Sequence, residues 1–280
     1  MSCKTILVYL NDVARAERLL GVATALAKTH KAHLVGLAVM PPYVTPVASE
    51  AGMAYTAFDD HRIAYTADIA KLEKLFNDAC RRDDVSFEWR TADAQYGTAA
   101  AQVLAHARGA DLAVISQDNP DWNYTGFLED AARVVIESGR PVLLVPNAGL
   151  HAMAPKRALI AWNSRREAVR AAFDAIHLLP HGADVTVLWV DTRSDPVIAG
   201  EAPGVDLCTT LARHGFKCEA ANVHAPYGDA AEAILREAMT RAVDLIVMGA
   251  YGHSRMREFF LGGATRDILI RMDRLVLMSH

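Results

Sequence analysis

The chain repeats itself, and a repeat of this length decides the architecture before any single residue does. Residues 4–12 read KTILVYLND and residues 156–164 read KRALIAWNS, so that Asn11 and Asn163 correspond at an offset of 152. HLVGLAV (33–39) answers DVTVLWV (184–190), with Val39 opposite Val190. QYGTAAAQVLAHARGADLAVIS (95–116) answers PYGDAAEAILREAMTRAVDLIVMG (226–249), each with Tyr-Gly, a helix-capping residue (Thr98, Asp229) and an alanine-rich helix. By Asp111 and Asp244 the offset has fallen to 133, which places roughly 20 extra residues in the first copy. They are expected in an irregular stretch over 40–66, opened by Pro41, Pro42 and Pro46. The domains expected are 1–146 and 156–280, joined by a linker over 147–155.

Within each copy, short apolar runs alternate with helical periodicity. The second copy predicts strands at 158–162, 184–190, about 218–224, 244–248 and 274–278. A helix over 205–214 comes before the third of them. Val169, Ala172, Phe173, Ile176 and Leu179 fall on one helical face, expected to be buried. The strands are continuous apolar runs, as parallel strands covered on both faces require. The fold class expected is therefore α/β: two tandem, doubly wound, Rossmann-like domains with five-stranded parallel sheets. Ligands in such sheets sit beyond the carboxyl ends of the strands, here after Trp162, Val190 and Met248.

The fourth strand of copy two leads into GAYGHSRMREFFLGGATRDIL (249–269). Gly249, Gly252, Gly262 and Gly263 would let main-chain N–H groups approach an anion, and Thr265 stands at the start of a helix. The same glycines could serve only as turns. Copy one supplies an internal control, because 116–133 aligns to 249–266 without gaps. Phe127, Leu128, Ala131 and Arg133 match Phe260, Leu261, Ala264 and Arg266, whereas the four glycines become Ser116, Asn119, Glu129 and Asp130. The segment charge is −3 in copy one (Asp118, Asp121, Glu129, Asp130 against Arg133) and +2 in copy two (Arg255, Arg257, Arg266 against Glu258). Packing residues persist while anion-binding features vanish. The contrast favours a phosphate cradle in copy two and none in copy one.

G-x-x-G, nine residues, then G after a D-L-I-V-M strand resembles the universal stress protein family. The A-W-N-S-R-R-E-A opening and the LVLMSH ending resemble its tandem members. The resemblance implies ATP or a related adenine nucleotide as ligand, alone or with Mg2+, and a regulatory role in stress response. Carried over by position, Gly249, Gly252 and Gly262 would meet ribose and phosphates, with Gly263, Ala264 and Thr265 at the helix start. Val190 would meet adenine through its backbone, and Ala161 and Met248 would line the base. Gly263 stands where the family usually has Ser or Thr, and Asn163 where it usually has Asp. The resemblance also implies that the final strands of the two domains, 141–146 and 275–280, pair. A homodimer is a further expectation.

Composition bounds the remaining classes. A net charge of −4 and pI near 6.3 give no support to a nucleic-acid-binding surface. No apolar run reaches the ~18–20 residues of a membrane span, and a strand-like start in place of a leader predicts a cytoplasmic protein. Cys3, Cys80, Cys208 and Cys218 are dispersed and expected to be reduced. Neither zinc spacing nor a P-loop occurs, and the 11 histidines are read without a metal. Asp111 and Asp244, at strand entrances, are read as terminating helices or pairing locally. No catalytic residue is assigned. The alternatives to nucleotide-dependent regulation by an unknown protein partner are an interaction scaffold of the same fold and a slow ATPase.

Overall fold

The computed structural model describes residues 3–40, 51–95, 97–118, 130–149, 154–191, 203–225, 229–250 and 263–280, with backbone alone at 51–62 and 130. The first repeat runs β1 (Thr5–Tyr9), α1 (Val13–His30), β2 (His33–Met40), α2 (Ala51–Arg82), β3 (Phe87–Asp93), α3 (Ala99–Ala107), β4 (Leu112–Ser116), α4 (Asp130–Glu137) and β5 (Val142–Val145). The second runs β6 (Arg157–Trp162), α5 (Arg166–Ala175), β7 (Asp184–Asp191), α6 (Val205–Arg213), β8 (Lys217–His224), α7 (Ala230–Thr240), β9 (Leu245–Gly249), α8 (Gly263–Arg271) and β10 (Leu275–Ser279). Strand and helix alternate within each repeat, as expected, and β5 is followed directly by β6 where the repeats join. Among the described residues no helix is long and apolar enough to cross a membrane.

Two compact units result, Ser2–Ser138 and Gly139–His280. The first contains parallel strands in the order β3-β2-β1-β4. The second contains β5-β10-β9-β6-β7-β8, parallel except that β5 runs antiparallel to β10, with Leu143 opposite Leu277. The repeat boundary expected at residue 146 follows the sequence; the compact units divide after Ser138 because β5 pairs with β10. β9 and β10 bury nearly every successive residue, which needs cover on both faces. β3 and β8, at the outer edges of their units, bury none of their residues fully.

Local chemistry explains the boundaries. Asp12 caps α1 by accepting the Ala14 N–H at 2.9 Å, and Lys31 closes that helix in the left-handed region at φ 51°. Thr98 and Asp229 cap α3 and α7 as expected, accepting from Ala101 N–H (3.2 Å) and Ala231 N–H (2.8 Å).

Three expectations are corrected. The extra residues of copy one do not form an irregular stretch to residue 66: residues 51–66 are helical, and α2 has 32 residues where α6 has 9. Next, α5 does not bury Val169 and Phe173, which are 37% and 41% exposed. Its sheet-facing side is Ala168, Ala171, Ala172 and Ala175, because the helix lies too close to β9 for larger side chains. Lastly, the role of Asp111 and Asp244 is not confined to helix ends or local pairing. Asp111 Oδ2 accepts the N–H groups of Lys4 (2.7 Å) and Thr5 (3.0 Å), more than 100 residues away. Asp244 Oδ2 likewise accepts those of Lys156 and Arg157, both at 3.0 Å. Each carboxylate clasps the start of the repeat's first strand to the start of its fourth, accepting two backbone N–H groups there.

Candidate functional site

At the carboxyl ends of β6, β7 and β9, three neighbouring parallel strands, the second unit gathers several of the expected residues. Ala161 and Met248 are register partners on adjacent strands, Ala161 half-buried and Met248 buried. Val190, half-buried, lies near the end of β7, whose Trp189 is opposite Trp162 of β6. Beyond Trp162 the chain turns at Asn163, whose Oδ1 accepts the Arg165 N–H at 3.0 Å. Ser164 takes φ 58° to complete that turn, and α5 begins two residues later. With Oδ1 engaged and the residue exposed, the Asn163 amide presents its NH2 group as a donor. Gly249 ends β9. Five of the expected residues (Ala161, Asn163, Val190, Met248, Gly249) are thus brought to the ends of three adjacent strands.

Gly263, Ala264 and Thr265 form the first turn of α8. Gly263 is exposed with open space where a Cβ would stand, and Thr265 is buried. Gly252 and Gly262 lie outside the described residues.

Gly249 has a second explanation that its motif position conceals. A Cβ there would lie 2.5 Å from the Ala168 backbone N and from the Glu167 carbonyl carbon. The glycine is required by the close approach of α5, so its replacement by Ser116 in copy one does not by itself mark a lost phosphate contact.

Glu167 is a residue the motif reading missed. It stands in the first turn of α5, 5% exposed, and accepts from Arg166 Nε at 2.6 Å. Burial pushes its pKa up, but the Arg166 hydrogen bond, its own backbone N–H, the Arg166 charge and His280 outweigh this, and the net shift is downward. The available signal was an acidic residue in a first helical turn, where the helix dipole favours it. His280 closes the same corner, its Nδ1 2.9 Å from the Ala250 carbonyl oxygen, while Ser279 Oγ donates to Asp174 at 2.8 Å.

Elsewhere, a cavity of about 550 Å³ lies at the opposite, amino ends of β6, β7 and β8. Its Arg241 pairs with Glu219 of the lining and with Glu237 outside it (3.1 Å). Cys208 and Cys218 share a thiol hydrogen bond between α6 and β8, and burial raises both pKa values. Among the described residues no three His, Cys, Asp or Glu side chains gather as a metal site.

Residues 156–280 match the model of the Universal stress protein family. Universal stress protein Slr1230 of Synechocystis sp. is 44% identical over 67 residues, which is 24% of this chain and 22% of that protein's length. A universal stress protein from Archaeoglobus fulgidus shares the fold with a TM-score of 0.66 over 98% of this chain and 95% of its own, at 14% identity. A putative universal stress protein from Pseudomonas aeruginosa shares it with a TM-score of 0.57 over 99% and 93%, at 17% identity.

Proposed function

We propose that residues 156–280, which match the Universal stress protein family model, form a domain of that family and bind ATP or a related adenine nucleotide at the carboxyl ends of β6, β7 and β9. The chain then acts as a cytoplasmic sensor or regulator in stress response. The observation that carries the reading is that Ala161, Asn163, Val190 and Met248 stand together at the carboxyl ends of three adjacent parallel strands, where such sheets take their ligands. Ala161 and Met248 supply apolar surface for a base. The NH2 group of Asn163 suits a ring nitrogen or ribose oxygen. Phosphates would meet the glycine segment and the N–H groups of the first turn of α8, where Gly263 adds no side chain. A bound nucleotide would bias the 250–262 segment, and so the surface offered to a protein partner. The chain itself supplies binding, and no group is assigned to cleave phosphate.

Titration calorimetry with Mg-ATP tests this. Binding is expected, and Gly252→Asp should abolish it by adding charge and bulk to the cradle. No heat at millimolar nucleotide, or unchanged affinity in Gly252→Asp, removes the proposal. A second reading, an interaction scaffold that uses no nucleotide, draws support from one observation: Gly249 is already accounted for by the packing of α5.

A further inference from the structure

The two repeats can be compared at the same place, the carboxyl ends of their strands, and they differ in what fills it. In the second unit Asn163 is exposed and Val190 and Ala161 are half-buried. In the first, the counterpart region holds an aromatic ring. Tyr65, on α2, is 1% exposed and packs against Met40, the last residue of β2 and the neighbour of Val39, which corresponds to Val190. Ile69, one turn later on the same helix, packs there too. The Tyr65 hydroxyl donates toward the backbone oxygen of Asn11, the counterpart of Asn163, at 3.5 Å.

The ring therefore lies at the ends of β1 and β2, packed on Met40, the residue next to the counterpart of Val190, with its hydroxyl on the Asn11 backbone, the counterpart of Asn163. It is delivered by α2, the element whose extra length distinguishes the first repeat from the second.

The opposite side of the β1 end is closed as well. Arg15 pairs with Asp12 (2.9 Å) and donates through Nη1 to the Gln117 carbonyl oxygen (2.7 Å), spanning from α1 to the residue after β4. Ser116 Oγ donates to Asn11 Oδ1 at 3.4 Å. The repeat offsets place Glu167, Ala250 and Gly249 at the positions of Arg15, Gln117 and Ser116. Of these, Gly249 has no side chain, Ala250 offers only a methyl, and Glu167 bonds to Arg166.

We propose that Tyr65 occupies the nucleobase position of the N-terminal repeat, so that the chain takes one nucleotide rather than two. The ring excludes even an uncharged nucleoside from the first unit. This goes further than the −3 charge of the 116–133 segment, which opposes only phosphates. The inference rests on the strand-end reading for the second unit. A phenol is a planar aromatic with one polar edge, the properties by which a base would be held at the same spot.

Equilibrium dialysis of the full chain against adenosine and against ATP tests it, with Tyr65→Ala, Tyr65→Leu and Tyr65→Phe compared to wild type. The expected result is one site per chain for either ligand in wild type and Tyr65→Phe. In Tyr65→Ala the adenosine stoichiometry should rise from about one to about two, while ATP stays at one because the acidic segment still repels its phosphates. Tyr65→Leu keeps an apolar core if Tyr65→Ala fails to fold, and should show a partial gain of adenosine. If wild type binds neither ligand, the reading of the second unit fails, yet a rise from none to one in Tyr65→Ala still supports the plug. Two sites in wild type, or no gain of adenosine in any folded Tyr65 variant, overturns it.

Discussion

Replacing Gly249 by alanine tests whether this glycine serves packing or ligand. The residue closes β9, so it is space rather than an unusual dihedral that calls for glycine. A Cβ would stand 2.5 Å from Ala168 N and Glu167 C and 2.8 Å from Glu167 Cβ, where ordinary contact begins at 3.4 Å. The obstacle is mainly helix backbone, so α5 must retreat by about 1 Å, and overpacking of this kind costs roughly 1–3 kcal/mol. That helix is held by its buried alanine face and by the Ser279–Asp174 bond, which argues for the upper end, about 3 kcal/mol. The stiffer unfolded chain offsets roughly 0.5–1 kcal/mol of this, leaving about 2. In a unit of about 140 residues that is a fall in Tm of about 4–8 °C, read by scanning calorimetry without nucleotide. The reverse change in copy one, Ser116→Gly, should cost no more than about 1 kcal/mol. If Gly249→Ala melts within about 1 °C of wild type while losing nucleotide, the packing explanation is wrong and the glycine belongs to the ligand.

Asp244→Ala removes the acceptor for two N–H groups and should cost about 2 kcal/mol, with Asp244→Asn recovering about half through its remaining oxygen. Amide exchange at Lys156 and Arg157 should accelerate in Asp244→Ala; unchanged protection would remove the clasp. Glu167 carries a folded-state pKa below its unfolded value, so the stability it contributes is full above about pH 4.5 and drains away as pH falls through the lower folded value. Glu167→Gln should flatten that part of the stability–pH curve, and an unaltered acid limb would show that the carboxylate is not the group responsible.

Periodicity carried most of the fold. The strands of copy two fall within a residue or so of expectation, because continuous apolar runs bounded by caps such as Asp229 are local signals. The hidden part depended on distances between elements. An alanine-lined face on α5 reads as weaker than one with Val169 and Phe173 until β9 is seen to press against it. Asp111 and Asp244 bond to residues about 90–110 positions away, which no local pattern reports. The candidate site was legible at the strand ends, where position in a parallel sheet dictates convergence. Glu167 and Tyr65 were not, since each acts through burial rather than through a motif.

The pairing of β5 with β10 makes the last strand of the first repeat a permanent sleeve for the second. Trimming the chain at the repeat boundary would strip it away and lay bare Leu275–Ser279, all five residues of which are buried in the intact unit. So stripped, an isolated second repeat would offer a sticky ribbon to any partner strand, itself included. The smallest self-sufficient piece of the C-terminal half therefore begins near Gly139, well upstream of where the duplication starts.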